Sequence, residues 1–363
     1  MNQKSDPTLA ALARRGFRFK KELGQHFLLN RFVLEQITDC AGITAGDIVV
    51  EAGAGAGSLT EVLAAAGATV VAVELDRSLI PFLRERFLDE PRVRVVHGDI
   101  MRLDPDALAA EVARSAAATS VVTAKANLTA NYATSATALQ VAGLQTTDAQ
   151  AVSVVKPPVT DSKASGPQVV GPQAIGSRAS DSQVVGQQTA SAPYKICANL
   201  PYHISSPFVN RAFRQLVGLD AGAILLQHEV ADKLTASPGE EYYGIPALTA
   251  VWFGEVRQVM TLGPAYFYPP PQVDSTVVAF RRKPKTFGVE EKALWLVIRG
   301  LFNQRRKNLL NGFKSLGALT PRTGESWAAA LEAAGIDFRR RPETLSLDEF
   351  AAILRAAGYV QGG

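Results

Sequence analysis

Cysteine is scarce in this chain: 363 residues hold two thiols, Cys40 and Cys197. They lie far apart and match no metal-ligand or redox spacing, which excludes a thiol-bound metal site and a dithiol redox centre. Long apolar runs are missing too. No window approaches the ~20 uninterrupted apolar residues of a membrane span, and Met1 to Ala10 lack the apolar core of a secretory signal. These absences point to a protein of the reduced cytoplasm, with no membrane partner and no metal. A basic stretch from Leu9 to Lys21 faintly resembles an organelle-targeting helix, but its arginines have a better use below.

Aromatic residues are nearly absent from one long stretch, and charges in it are few. From Ala109 to Ala192 there is one aromatic, Tyr132, in a background of Ala, Ser, Thr, Gln and Val. Such a composition cannot bury enough apolar surface to offset its ordering entropy. An insertion at about 109–192, largely disordered or loosely packed, is expected, with a helix only over 108–118. Gln168-Val169-Val170-Gly171 and Gln183-Val184-Val185-Gly186 form a faint repeat inside it.

Charge is present but uneven. The net +4 combines six Lys/Arg against two acids in residues 1–25, fifteen against eight in 281–363, and a net −7 in between. Basic ends around an acidic middle fit a polyanion held at the periphery of a site for something cationic. Arg14, Arg15, Arg18, Lys20 and Lys21 at one end, and Arg305, Arg306 and Lys307 at the other, are the candidate phosphate contacts.

The length leaves room for one large domain and a smaller one. Residues 31–41 read as an amphipathic helix, 47–51 as a buried strand, 58–66 as a helix, 69–74 as a strand, 78–87 as a helix and 93–97 as a strand. That alternation predicts an α/β fold with a parallel, doubly wound sheet. Order resumes with a strand at Tyr194. Helices are expected at 207–216, 229–236 and 246–253, and strands at 223–227, 256–261 and 276–280. From about Val289 onward the pattern is purely helical, a small all-α domain.

Two constellations carry chemistry. Glu51-Ala52-Gly53-Ala54-Gly55-Ala56-Gly57 places glycines where a strand turns into a helix, so backbone can approach a ligand. A dinucleotide fingerprint wants glycine at 58, where this chain has Ser58. Glu74, 21 residues beyond Gly53 at the next strand tip, can accept both hydroxyls of a ribose. Asp99, ending the third strand, would meet an adenine amine. An acidic cleft of this kind suits S-adenosylmethionine, whose sulfonium is cationic. The second constellation is Asn199-Leu200-Pro201-Tyr202, a strand ending in a rigid loop. It offers an amide oxygen, the Leu200 carbonyl fixed by Pro201, and the aromatic face of Tyr202. Such a loop holds a planar base by its exocyclic amine, as amine methylation of an unstacked nucleobase requires.

Together these motifs resemble the ribosomal RNA adenine dimethyltransferase family, most closely its small-subunit branch. The resemblance extends to Gly24-Gln25-His26-Phe27-Leu28, Gln227-His228-Glu229-Val230, Tyr266 through Ser275, Phe302-Asn303-Gln304-Arg305-Arg306-Lys307 and Arg341-Pro342-Glu343-Thr344-Leu345-Ser346. It implies a Rossmann-like methyltransferase domain over 26–283 and a helical RNA-binding domain over 284–363, behind the basic segment 1–25. It implies cofactor contacts at His26, Leu28, Gly53, Gly55, Glu74, Asp99 and Asn199, and a base sandwiched between Tyr202 and Phe267. The partner it implies is small-subunit rRNA in the 30S pre-ribosomal particle, met by a monomer. A large-subunit methyltransferase of the resistance type and a non-catalytic assembly factor are the rival readings. His26 stands where many members have asparagine, and Ala54 replaces the usual proline of the glycine loop.

Overall fold

The computed structural model describes residues 6–117, 192–317 and 324–360. The expected insertion and its faint repeat fall mostly outside these residues. The chain opens with helix α1 (Pro7–Arg14), capped by Asp6, whose carboxylate accepts from the Thr8 and Leu9 amides, with proline at the first helical position. Leu9 and Leu12 bury its inner face in the main core. After strand β1 (Phe27–Leu28), helix α2 (Arg31–Cys40) starts on the Asn30 side chain and buries Val33, Leu34 and Ile37.

Strand–helix units follow. They are β2 (Ile48–Ala52), α3 (Ser58–Ala65), β3 (Thr69–Glu74), α4 (Ile80–Arg86) and β4 (Val93–His97). Residues 105–117 form α5. Beyond the insertion come β5 (Tyr194–Asn199), α6 (Tyr202–Gln215), β6 (Leu219–Gln227), α7 (His228–Thr235), α8 (Ile245–Phe253) and β7 (Gly254–Leu262). The two-residue β8 (Phe267–Tyr268) and then β9 (Ser275–Arg282) complete the strands among the described residues.

Seven strands make one sheet in the order β4-β3-β2-β5-β6-β9-β7. Strands β2 to β6 are parallel. The expectation of a parallel sheet needs one correction: β9 runs antiparallel to β6, and β7 antiparallel to β9. A chain that returns through α8 and β7 before inserting β9 reverses direction without a crossover helix. The central strands are apolar on both faces, as Val49, Val50, Val70, Val71, Ile196 and Cys197 show by complete burial. Separately, β1 and β8 pair antiparallel, Phe27 opposite Tyr268 and Leu28 opposite Phe267.

The C-terminal part is helical: α9 (Glu291–Phe302), α10 (Leu309–Ser315), α11 (Gly324–Ala333) and α12 (Leu347–Ala356). These helices enclose a core of Trp295, Ile298, Phe313, Trp327 and Phe350, joined by Tyr243, Ala247 and Leu248 from in and around α8. Among the described residues no helix is long and apolar enough to cross a membrane.

Candidate active site

The strand order reverses between β2 and β5, and such a switch point opens a crevice at the carboxyl ends of parallel strands. Register pairs Ala52 with Ala198, so Gly53 and Asn199 leave the sheet side by side. Gly53 turns at φ 78° and Gly57 at φ 80°. A Cβ on Gly57 would stand 2.7 Å from the Phe87 ring, so a side chain there is excluded by space as well as by conformation. At Gly53 the same atom would lie 3.5 Å from the Asn199 carbonyl oxygen. The missing side chain keeps the turn flat against the cleft.

Three carboxyl groups line the cleft: Glu51, Glu74 and Asp99. Glu74 is 7% exposed; its two oxygens accept from the Gly55 and Asp76 amides, each at 2.7 Å. Burial raises its pKa against the pull of those two bonds. Each oxygen keeps a second lone-pair direction, so the group can still accept from a diol. Asp99 accepts from the Met101 amide at 2.9 Å, and Arg102 stands 3.6 Å away in solvent. Glu51, given no place among the site residues by the sequence reading, also lines the cleft. It is 1% exposed, it takes the Thr60 hydroxyl at 2.5 Å, and burial pushes its carboxyl up to about 8. Its place between an apolar strand and a glycine turn was the available signal.

A second wall comes from the N-terminal segment Leu23 to Leu28. Here the geometry fixes the amide of Asn199: its Nδ2 donates to the His26 carbonyl at 2.8 Å. A carbonyl only accepts, so the nitrogen must face it and Oδ1 must face the other way. Among the described residues no donor is bonded to Oδ1 of Asn199 or to the Leu200 carbonyl. Both residues line the cleft beside Glu74 and Asp99.

Tyr202 opens α6 at the same rim, half-buried, its hydroxyl 2.9 Å from Ser275 Oγ. His26 stacks on it, ring centroids 5.5 Å apart and planes 23° from parallel. The His26 Nδ1–H donates to the Pro269 carbonyl at 2.7 Å. The ring that covers one face of Tyr202 is therefore His26, braced from the proline loop. Phe267 takes a different place from the one expected of a base-stacking ring. It is 2% exposed, packs in the main core opposite Leu28, and is not among the residues lining the cleft. Pairing with Leu28 across the β1–β8 ribbon is what turns it inward. Leu28 itself is buried but reaches the cleft wall, as do Gly55 and Pro201.

The basic residues divide. Arg14 and Arg18 are exposed, and so are Arg305, Arg306 and Lys307. Arg15, exposed as well, is paired with Glu85 at 2.5 Å and lies over the Phe82 ring. Lys20 turns inward to Asp76. The side chain of Lys21 lies outside the described residues. Arg305 donates to the Tyr243 carbonyl at 3.2 Å, which ties the base of this turn to the segment preceding α8. Burial raises both thiols, Cys40 to about 11, away from the reactive thiolate form.

The cleft fits the expected methyl donor. Its empty volume is about 1180 Å³ counting the open mouth. Glu74 and Asp99 border it, and among the described residues no Lys or Arg does, which suits a sulfonium. The glycine turn and Glu74 fit a nucleoside, and the open acceptors of Asn199 and Leu200 fit an amine.

Known proteins resemble this chain. The family model described as ribosomal RNA adenine dimethylase matches residues 16–350. A protein named ribosomal RNA small subunit methyltransferase A from Geobacter metallireducens is 35% identical, over 94% of this chain and 96% of its own length. One of the same name from Myxococcus xanthus is 33% identical, over 96% and 94%. Among solved structures, a dimethyladenosine transferase from Plasmodium falciparum shares the fold at TM-score 0.61 and 19% identity, covering 92% of this chain and 99% of its own. The 23S rRNA methyltransferase ErmE does so at TM-score 0.56 and 18% identity, with the same coverage. With a family model spanning nearly the whole chain and relatives above 30% identity along nearly their whole length, the chain belongs to the ribosomal RNA adenine dimethylase family.

Proposed function

We propose that this chain dimethylates the exocyclic amines of two adjacent adenosines in the 3′-terminal hairpin of small-subunit (16S) rRNA, during ribosome biogenesis. S-adenosylmethionine, when bound, supplies an electrophilic methyl group. In this reading Glu74 holds the ribose hydroxyls, Asp99 the adenine amine, and the turn at Gly53 and Gly55 lies along the nucleoside, with His26, Leu28 and Asn199 closing the site.

The observation that carries the reading is the aimed amide. An adenine amine is a poor nucleophile because its lone pair is delocalised into the ring. Asn199 Oδ1 and the Leu200 carbonyl accept its two hydrogens and draw them out of the ring plane, which frees the lone pair for in-line attack. No charged base is required, since the methylated amine loses its proton readily to water. The gain comes from positioning and from dipoles fixed before the substrate arrives. Tyr202 gives the unstacked base an aromatic face, and His26 braces that ring. The buried setting of Phe267 supports a structural part for it. Arg14, Arg18, Arg306 and Lys307, exposed at the two basic ends, act on RNA phosphates. Residues 284–363 serve as the RNA-binding portion of a monomer that works in the cytoplasm on the 30S pre-ribosomal particle.

The test is methyl transfer to undermethylated small and large ribosomal subunits, with Asn199→Ala as control. Two dimethyladenosines in small-subunit RNA, found by mass spectrometry and lost in the variant, are the expected result. Transfer to large subunits alone would overturn the proposal.

A further inference from the structure

Asp76 lies two residues past Glu74, and its side chain is wholly buried. Its Oδ1 takes Lys20 Nζ at 2.5 Å, the Ser78 amide at 2.9 Å and the Ser78 hydroxyl at 2.7 Å; its Oδ2 takes Gln25 Nε2 at 2.8 Å. Gln25 closes the ring by accepting the Lys20 amide at 2.9 Å through its own side-chain oxygen. Burial alone would raise the Asp76 pKa; the Lys20 bond first, then Ser78 and Gln25, outweigh it and hold the carboxyl below its ordinary value. A buried carboxylate that binds one cation and three neutral donors is satisfied, and costly to leave with any one of them missing.

Of the partners of Asp76, Gln25 belongs to the segment that makes a wall of the cleft, and Lys20 stands three residues before that segment begins. Residues 23–28 all line it. Yet residues 20 and 22–26 include no fully buried side chain. Apolar packing resumes only at Phe27, so polar ties must hold this wall in place. At its far end the ties are His26 to Pro269 and Asn199 to the His26 carbonyl. At its near end the ties that reach the sheet are those to Asp76.

We infer that Asp76 is a positioning residue for the methyl donor: through Lys20 and Gln25 it fastens the N-terminal wall over the cleft and sets how firmly the donor is retained. The inference rests on the cleft being the S-adenosylmethionine site. It gives Lys20 a task inside the molecule in place of the phosphate contact expected of it.

Asp76→Asn keeps the volume and the backbone amide that serves Glu74, and removes the charge that Lys20 binds. Titration of the full chain with S-adenosylmethionine is expected to give a Kd raised about 10-fold or more in Asp76→Asn and in Lys20→Met. The double variant should be no worse than the weaker single one, because both break the same tie. Turnover of Asp76→Asn at saturating donor should stay within about 2-fold of the parent, the signature of lost binding without lost chemistry. Amide hydrogen exchange over residues 20–26 should quicken in the same variants. Should Asp76→Asn fail to fold, Lys20→Met carries the test alone, since its side chain is 40% exposed. An unchanged Kd with unchanged exchange overturns the inference, and so does a fall in turnover at unchanged Kd. A parent protein that binds no S-adenosylmethionine overturns the cofactor assignment itself, and the clasp with it.

Discussion

On the β2–β4 side of the cleft the acids are already engaged: Glu74 holds two backbone amides, Glu51 a hydroxyl and Asp99 an amide. On the β5 side the Asn199 oxygen and the Leu200 carbonyl accept nothing from the described residues, and only the far end of the amide is anchored. One side is braced by bonds of its own before any ligand arrives; the other holds wholly unmet hydrogen-bonding capacity at a fixed position. The difference separates two tasks. A cofactor site gains from rigid, pre-satisfied groups that lose little entropy on binding. A site that must activate a weak nucleophile gains from acceptors whose partners are missing until the substrate enters.

The sharpest way to break this contrast is Asn199→Ala. Turnover should fall by about 10²–10³-fold, while the Kd for S-adenosylmethionine measured by titration changes far less. Equal losses in both would mean that the two sides are not separate. Tyr202→Ala tests the substrate side alone. Removing a stacking ring is expected to cost about 1–3 kcal/mol, read as a raised KM for undermethylated subunits at unchanged donor affinity. The third test lies on the cofactor side and is read in stability. The Glu51 carboxyl sits at about 8 in the fold against 4.5 ordinarily. Between those values the unfolded chain has lost this proton and the native one keeps it. Stability from this group is therefore full at low pH and declines as pH rises to about 8, by at most about 1.4 kcal/mol per pH unit. Denaturant unfolding of the donor-free protein from pH 5 to 8 should show that decline lessened in Glu51→Gln, which mimics the neutral acid. An identical profile in the variant would remove Glu51 as the source.

Much of the fold was legible. Alternating apolar strands and amphipathic helices gave β2 to β4 and their helices within a residue or two, and the helix expected over 108–118 is there at 105–117. Helix α6 was expected to begin at Pro207 but starts at Tyr202, five residues earlier, because proline early in a helix was read as its first turn. Helix α1 had a signal that went unused. Asp6-Pro7 is a cap followed by a first-turn proline, ahead of a segment whose run of arginines is the more conspicuous pattern. The Asn199 loop, the glycine turn and Glu74 were readable because local chemistry dictates them. Three placements were not. His26 against Tyr202, Phe267 against the core and Lys20 against Asp76 all depend on contacts between segments 56 to 243 residues apart or on a two-residue ribbon, and no periodicity records such pairings.

The bond from Asn199 to the His26 carbonyl has a further consequence. The acceptor is main chain, so no side-chain replacement at position 26 removes it, and the residue there can drift in evolution while the aim of the amide persists. Deletion is another matter. A polypeptide begun at Arg31 keeps every strand of the seven-stranded sheet, yet leaves the amide free to rotate.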